Sequence, residues 1–451
     1  MSAVVAVNRE AGRALVVGLG TTGLSCVRHL VARGYDVSVV DSRAAPPGLE
    51  SVRREYPALA VRTGALDASM FRDTGLLVVS PGVSLKEPAI AEAIARGAQP
   101  IGDIELFARE ARAPVLAITG ANGKSTVTSL VGEICRAGGL DTRVGGNIGV
   151  PALSLIGPTE PDVYVLELSS FQLETTWSLN ARAAAVLNLT PDHMDRYASL
   201  EEYAEAKARI YAGDGTMVLN ADDARVMAMA RPGRRVAYFG LGAPKGVEHF
   251  GLVQKGGEVF AARGESEVLA ASEVPLPGRH NLANVLAALA LTGTMGVPPD
   301  AQREAVRRFK GLPHRTELVA SRDGIRWIND SKGTNVGATV AALDGMTSPV
   351  VLIAGGDGKG QDFRALADAA RRRARAVVLI GRDAPLIEAA LAGAVPAVRA
   401  QDLVDAVRRS RGLARSGDVV LLSPACASFD MFRNYEHRGD VFRAAVQELL
   451  G

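Results

Sequence analysis

Short apolar runs of strand length alternate with stretches of helical spacing along nearly the whole chain. A strand buried on both faces reads as a continuous β-branched run, whereas a crossover helix shows one apolar stripe. Their alternation predicts an α/β class, with parallel sheets joined by helices. Three blocks stand out. In the first, 14–17, 36–40 and 76–79 read as strands, with a helix over 24–33 ended by Gly34. The second starts near Asp103, with strands at 115–118, 163–168 and 184–189 and a helix over 127–136. Its stretch 240–264, rich in Gly and charge, reads as a β-rich excursion or as long loops, and an Ala/Leu helix follows through 291. The third begins near Leu312, with strands at 324–329, 350–354, 376–380 and 418–422 and an amphipathic helix over 441–450. No repeat of 20–50 residues interrupts this order.

Composition narrows the class. A chain of 451 residues with 47% hydrophobic content has room for two to four domains and several cores. Lys and Arg total 51 against 49 Asp and Glu, a balance that argues against a nucleic-acid or anionic-membrane surface. Cys26, Cys135 and Cys426 are far apart and read as reduced, mostly buried thiols. Residues 1–13 lack the apolar core of a signal peptide or anchor, and no stretch approaches a membrane span. The expectation is a soluble, cytoplasmic enzyme.

The strongest chemical signal is Thr119-Gly120-Ala121-Asn122-Gly123-Lys124-Ser125-Thr126 between a strand and a helix. Backbone N–H groups and a helix N-terminus favour phosphate, Lys124 reaches the outer phosphates, and Ser125 or Thr126 can hold Mg²⁺. The usual phosphate loop has a Gly six residues before its Lys; here that position is Ile118, and the nearer glycine is Gly120. Glu167, ending a strand of the same block, can face the loop as a metal carboxylate or stand as a solvated acid. Asp192, His193 and Asp195 cluster after the next strand, expected one strand over from Glu167; Mg²⁺ ligation or transition-state contact is favoured over zinc. Lys207, inside a charged helix, reads from its neighbours alone as an ordinary solvated lysine.

Gly18-Leu19-Gly20-Thr21-Thr22-Gly23 with Asp41 fits a dinucleotide fingerprint, another nucleotide site or a structural turn. The block is about half a dinucleotide fold, and Arg43 and the turn Ser80-Pro81-Gly82 add anion sites, which favours one nucleotide sugar diphosphate. In the third block, loops at 329–335, 355–360 and 423–428 follow strands of one sheet and suggest a site for an anionic small molecule, with Arg315 placed to bring a guanidinium to phosphates.

Taken together, the phosphate loop, Ser169-Ser170-Phe171-Gln172-Leu173-Glu174, Asp192-His193-Met194-Asp195-Arg196-Tyr197, Leu312-Pro313-His314-Arg315-Thr316-Glu317, Asp330-Ser331-Lys332 and Ser423-Pro424-Ala425-Cys426-Ala427-Ser428 resemble the Mur ligases, in family order and over essentially the whole chain. The resemblance implies three domains: a Rossmann-like UDP-substrate domain at 1–102, a central P-loop ATPase with a mainly parallel sheet at 103–311, and a Rossmann-like glutamate domain at 312–451. It implies a monomer using ATP and two Mg²⁺ ions to join D-glutamate to UDP-N-acetylmuramoyl-L-alanine through an acyl phosphate and a tetrahedral intermediate. The implied ATP site is Gly120, Asn122, Gly123, Lys124, Ser125, Thr126, Asn281, Arg315 and Asp330. Catalytic roles fall on Lys124, Glu167, His193 and Lys207, and metal ligation on Ser125, Glu167, His193 and Lys207. By the same resemblance Lys207 is carbamylated, against the reading of its neighbours. Substrate contacts fall on Thr21, Thr22, Asp41, Arg43, Gly82, Asn147 and His193, and glutamate contacts on Lys332, Thr334, Lys359, Ser428 and Tyr435. Gly333 stands where Ala is common, with little effect expected; Tyr435 replaces a common Phe, and its hydroxyl is expected to alter local packing.

Overall fold

The computed structural model describes residues 12–72 and 74–451; residues 1–11, most of the stretch read as neither signal peptide nor anchor, lie outside the described residues. Strands β1 (Arg13–Val17), β2 (Asp36–Asp41), β3 (Ala60–Thr63), β4 (Leu76–Val79) and β5 (Pro100–Ile101) form a first sheet ordered β3-β2-β1-β4-β5. All its pairings are parallel. The strand order reverses beside β1, so the Gly18–Gly23 turn opens at the switch point where such sheets bind ligands. Close packing dictates the glycines there. A Cβ on Gly23 would lie 1.9 Å from the Gly18 carbonyl oxygen, and Gly18 itself has φ +91°. The helix after this turn spans Thr21–Ala32, so Thr21 and Thr22 are in its first turn rather than ahead of it.

The second sheet contains β6 (Val115–Thr119), β7 (Thr142–Gly146), β8 (Val163–Glu167), β9 (Ala183–Val186), β10 (Thr216–Asn220), β11 (Val236–Phe239), β12 (His249–Lys255), β13 (Glu258–Arg263) and β14 (Ser266–Ala270). Its order is β14-β13-β12-β11-β10-β9-β6-β8-β7. The 240–264 stretch is thus the β-rich alternative: β12, β13 and β14 form an antiparallel extension joined in parallel to β11. One expectation needs correction. β6 lies between β8 and β9, so His193 is two strands from Glu167, with the phosphate-loop strand between them.

The third sheet is β15 (Glu317–Arg322), β16 (Ile325–Asn329), β17 (Val350–Gly355), β18 (Ala374–Ile380), β19 (Ala397–Arg399) and β20 (Val419–Leu422), ordered β15-β16-β20-β17-β18-β19. Only β15 runs antiparallel. β16, β20 and β17 are neighbours, so the three polar loops predicted at strand ends do share one edge. Apolar side chains on the two faces of this sheet form separate clusters around Leu352 and around Trp327. By contrast, one cluster runs unbroken from Val16 and Leu30 through Phe107 to Tyr164 and Leu166, welding the first sheet to the second. Among the described residues no helix is long and apolar enough to cross a membrane.

Candidate active site

The helix after β6 spans Lys124–Ala137, three residues earlier than its apolar pattern predicts. Gly123 ends the loop in the left-handed conformation at φ +84°, a turn that an L side chain resists. A Cβ there would also meet Asn284 Oδ1 at 2.5 Å. Lys124, Ser125 and Thr126 therefore form the first helical turn, where unpaired N–H groups and the helix dipole attract an anion. The Lys124 ammonium folds back onto the carbonyls of Gly120 (3.0 Å) and Ala121 (2.9 Å). Burial lowers its pKa, and Arg315 adds to the effect; Glu167 and Asp192 oppose it.

Lys207 is not a solvated helix lysine. It ends up 1% exposed. Its amine donates to the same Gly120 carbonyl at 2.9 Å and to Thr119 Oγ1 at 3.3 Å, and sits 4.6 Å from the Tyr203 ring centre. Burial first, then Lys124, drive its pKa well below the ordinary lysine value. Glu167 is buried at the end of β8. One carboxylate oxygen accepts from Asn147 Nδ2 at 2.8 Å, while Oε2 is buried with no partner. The Asn147 N–H also donates to the Glu167 carbonyl at 2.8 Å, fixing that side chain's approach. His193 has φ +56°, and its ring lies 4.8 Å from Phe171. Burial lowers its pKa; Asp192 opposes, and Lys124, Lys359 and Lys207 reinforce the shift. Among the described residues no cluster of three or more His, Cys, Asp or Glu forms, so any cation here depends on hydroxyl, lysine-derived or ligand oxygens as well.

The third domain docks onto this loop. Arg315 donates to Ser125 Oγ at 2.7 Å. Asn335 caps the helix Val336–Gly345 and also reaches back to Asn122 Oδ1 (3.3 Å) and Asp192 Oδ2 (3.1 Å). A cavity of about 300 Å³ lies between the domains, lined by Gly123, Thr126, Asn281, Arg315, Asp330 and Lys332 among others. Asp330 follows β16, accepts from Ser423 Oγ (2.7 Å) and the Thr316 N–H (3.1 Å), and is pushed up to about 6 by burial. Gly333 is less permissive than expected: a Cβ would come 2.6 Å from Ser423 Oγ and 2.7 Å from Asp330 Oδ2, so Ala requires that hydrogen-bonded pair to shift.

The remaining glutamate-type residues gather nearby. The Lys332 ammonium lies 3.8 Å from the centre of the Tyr435 ring, and burial followed by Arg315 and Lys124 brings it down to about 8. Tyr435 opens the final helix, which spans Tyr435–Leu450 rather than 441–450. A two-way bridge between Asp357 and Ala427 ties the loop carrying exposed Lys359 to the loop carrying buried Ser428. Thr334 lies between Lys332 and Asn335 on the interdomain edge.

In the first domain Asp41 is buried and already occupied. It accepts from the N–H groups of Leu19 (2.7 Å) and Arg43 (2.8 Å) and from Nε and Nη2 of the Arg43 guanidinium. Burial would raise its pKa, but these bonds hold it below the ordinary value. Thr21 and Gly82 remain exposed at the same sheet edge. Sequence reasoning missed Asn335, whose cap position was its visible signal, and Arg438. Arg438 is fully buried and donates to Ser331 Oγ, Ser331 O and Cys426 O, joining two of the three loops.

Family comparisons agree with this layout. The Mur ligase MurD-like N-terminal domain matches residues 12–102, the Mur ligase middle domain 118–292, and the Mur ligase glutamate ligase domain 314–426. A Nitrosococcus oceani protein named UDP-N-acetylmuramoylalanine--D-glutamate ligase is 53% identical, covering 98% of this chain and 97% of its own. A Methylobacillus flagellatus protein of the same name is 55% identical, over 96% of each chain. Among solved structures, a pseudomurein peptide ligase type C from Methanothermus fervidus aligns with TM-score 0.61 at 17% identity, over 97% of this chain and 100% of that one. The MurF ligase of Thermotoga maritima, solved in complex with ADP, aligns with TM-score 0.60 at 14% identity, over 98% of both chains. These two share the fold. The domain matches and the full-length relatives together establish that the chain belongs to the Mur ligase family.

Proposed function

We propose that this chain is the ATP-dependent ligase that joins D-glutamate to the L-alanine carboxylate of UDP-N-acetylmuramoyl-L-alanine in peptidoglycan precursor synthesis. The observation that carries the reading is the convergence at one crevice of the phosphate loop, Glu167 with its unpartnered oxygen, and Arg315 of the third domain. In this reading the domains span 1–102, 103–311 and 312–451, and the reaction is cytoplasmic.

A carboxylate is a poor acyl donor because attack would have to expel oxide. Its oxygen instead takes the γ-phosphoryl group of ATP, and ADP leaves. The amine of D-glutamate then attacks the acyl carbon; the tetrahedral intermediate expels phosphate, and the nitrogen loses a proton as the amide forms. Three anions must meet, so cation placement does most of the work. Lys124 neutralises the phosphoryl group in flight, and Arg315 swings from Ser125 Oγ to the phosphates. Gly120, Asn122, Gly123, Thr126, Asn281 and Asp330 seat the nucleotide in the interdomain cavity. Asn147 and His193 orient the alanine carboxylate, while Thr21, Thr22, Asp41, Arg43 and Gly82 hold the UDP portion. Lys332, Thr334, Lys359, Ser428 and Tyr435 surround the amino acid.

The residues present fit divalent cations. Glu167 Oε2 is a buried oxygen without a partner, and Ser125 Oγ, His193 and Lys207 surround the same loop. Two Mg²⁺ ions held by Ser125, Glu167, His193 and Lys207 would neutralise phosphate charge. Lys207 suits carbamylation, because burial and Lys124 favour its neutral amine, the form that adds CO₂.

Phosphate release is the test. It is expected to require ATP, UDP-N-acetylmuramoyl-L-alanine and D-glutamate together, with L-amino acids inactive in a panel. Rapid ATP hydrolysis without either acceptor would sink the ligase reading.

A further inference from the structure

The turn after β4 and segment 193–199 are stapled to one another across the first two domains. Arg196 donates from one arm to Pro81 O at 2.9 Å and from the other to Val83 O at 3.3 Å. The same guanidinium pairs with Glu174 at 2.7 Å and lies 4.0 Å from the Phe171 ring centre. Lys86 returns the contact from the first domain, donating to Arg196 O at 3.3 Å and to Glu202 at 3.0 Å. The Arg196 side chain is only 13% exposed, so water screens it less than a surface ion pair.

Two orientations follow from this one side chain. A trans peptide is planar, with its C=O and N–H pointing in opposite directions. Pinning the Pro81 carbonyl towards Arg196 therefore turns the Gly82 N–H away from it. Phe171, held under the guanidinium, is the ring that packs 4.8 Å from His193. Guanidinium suits the task because its rigid fork can serve two carbonyls, a carboxylate and an aromatic face together.

We propose that Arg196 is a positioning residue for the diphosphate-bearing substrate, setting the Gly82 N–H at one end and the His193 ring at the other. Arg196 touches no reacting atom. The proposal rests on the reading that this turn meets a UDP-linked substrate, so its test includes UDP alone.

Calorimetric titration of UDP and steady-state kinetics would be run on the full chain, on Arg196→Ala and on Lys86→Met. Arg196→Ala is expected to weaken UDP binding and raise KM for UDP-N-acetylmuramoyl-L-alanine about tenfold, with KM for ATP and D-glutamate changed less than about twofold. Added guanidinium is expected to restore part of the loss, which a general structural defect would not allow. Lys86→Met is expected to show the same selectivity at about twofold to threefold, and it decides the matter if Arg196→Ala does not fold. Unchanged UDP affinity in the folded variants, or equal rises in all three KM values, would overturn the proposal. If the unaltered chain binds UDP but forms no amide, the ligase reading fails while the titration still judges Arg196.

Discussion

After β1 the chain turns through Gly18–Gly23, and after β6 through Gly120–Thr126; each turn leaves a strand of a parallel sheet and opens a helix. Their polar groups differ. Around the first turn Asp41 is fully bonded by Leu19 and Arg43, and Ser80 Oγ donates to the Gly18 carbonyl at 2.8 Å. Around the second, two lysine amines share the single carbonyl of Gly120, and Glu167 keeps one buried oxygen without a partner. An unsatisfied buried polar group costs about 1–3 kcal/mol, and at a binding site a ligand can remove that cost. Under the proposed function, the first turn is already complete when a substrate approaches it, and the second is completed by phosphate and cations.

The sharpest test of that contrast is Lys124→Met. Loss of the charge is expected to lower kcat by about 10³-fold or more in the phosphate-release assay. Thermal stability should change little, because the loss of two hydrogen bonds to carbonyls is offset by the removal of a buried charge. A fall in melting temperature comparable to the loss of activity would make Lys124 a structural residue, and the two turns would then be alike.

Lys207→Ala separates charge from packing at the same loop. Activity is expected to drop by about 10²-fold or more. Short carboxylic acids should restore part of it by standing in for a carbamate in the space left behind. Full activity in the variant would remove Lys207 from the site.

At the first turn the expected effects are steric. Gly23→Ala drives a methyl group to 1.9 Å from the Gly18 carbonyl oxygen, whereas a Cβ on Gly20 meets nothing within 4 Å. Gly23→Ala should cost about 1–3 kcal/mol or more in urea unfolding, as overpacking does. Gly20→Ala, at a helix N-cap with φ −87°, should cost less than about 1 kcal/mol. Equal costs would mean that the turn relaxes freely and is not fixed by helix–strand packing.

These tests also show where the sequence could be read and where it could not. β6, β8 and β17 are buried on both faces, so their continuous apolar runs are visible without tertiary knowledge. The phosphate loop is legible because its glycines and Lys124 serve local backbone geometry. Lys207 is not, because the acidic and basic residues around it look like any solvated helix, and only the tertiary fold brings its amine to Thr119 and the Gly120 carbonyl and buries it there. Strand order is equally hidden: nothing local to Glu167 or His193 reveals that β6 passes between them. The roles of Arg196 and Asn335 depend on contacts between domains, which no window of sequence contains.

Asp103 tests whether an unpartnered buried oxygen always marks chemistry. It opens the helix Asp103–Glu110 at the weld between the first two sheets. One oxygen accepts from Gln172 Nε2 at 2.9 Å; the other, like that of Glu167, is buried without a partner. Burial pushes Asp103 up from 3.8 to about 6, against the Gln172 hydrogen bond. The folded chain then holds a proton that the unfolded chain has released. This contribution is fully present below about pH 4 and is lost as pH rises through 6, by an amount on the order of 3 kcal/mol. Asp103→Asn cannot ionise, and any cost of its extra N–H is independent of pH. The difference in unfolding free energy between variant and unaltered chain should therefore move in the variant's favour by about that amount from pH 4 to pH 7. Parallel curves would show that Asp103 stays charged when buried. If they diverge as expected, a proton fills the place of the missing partner at Asp103 below about pH 6, whereas under the proposed function the missing partner of Glu167 is a cation, so an unpartnered buried oxygen does not by itself mark chemistry.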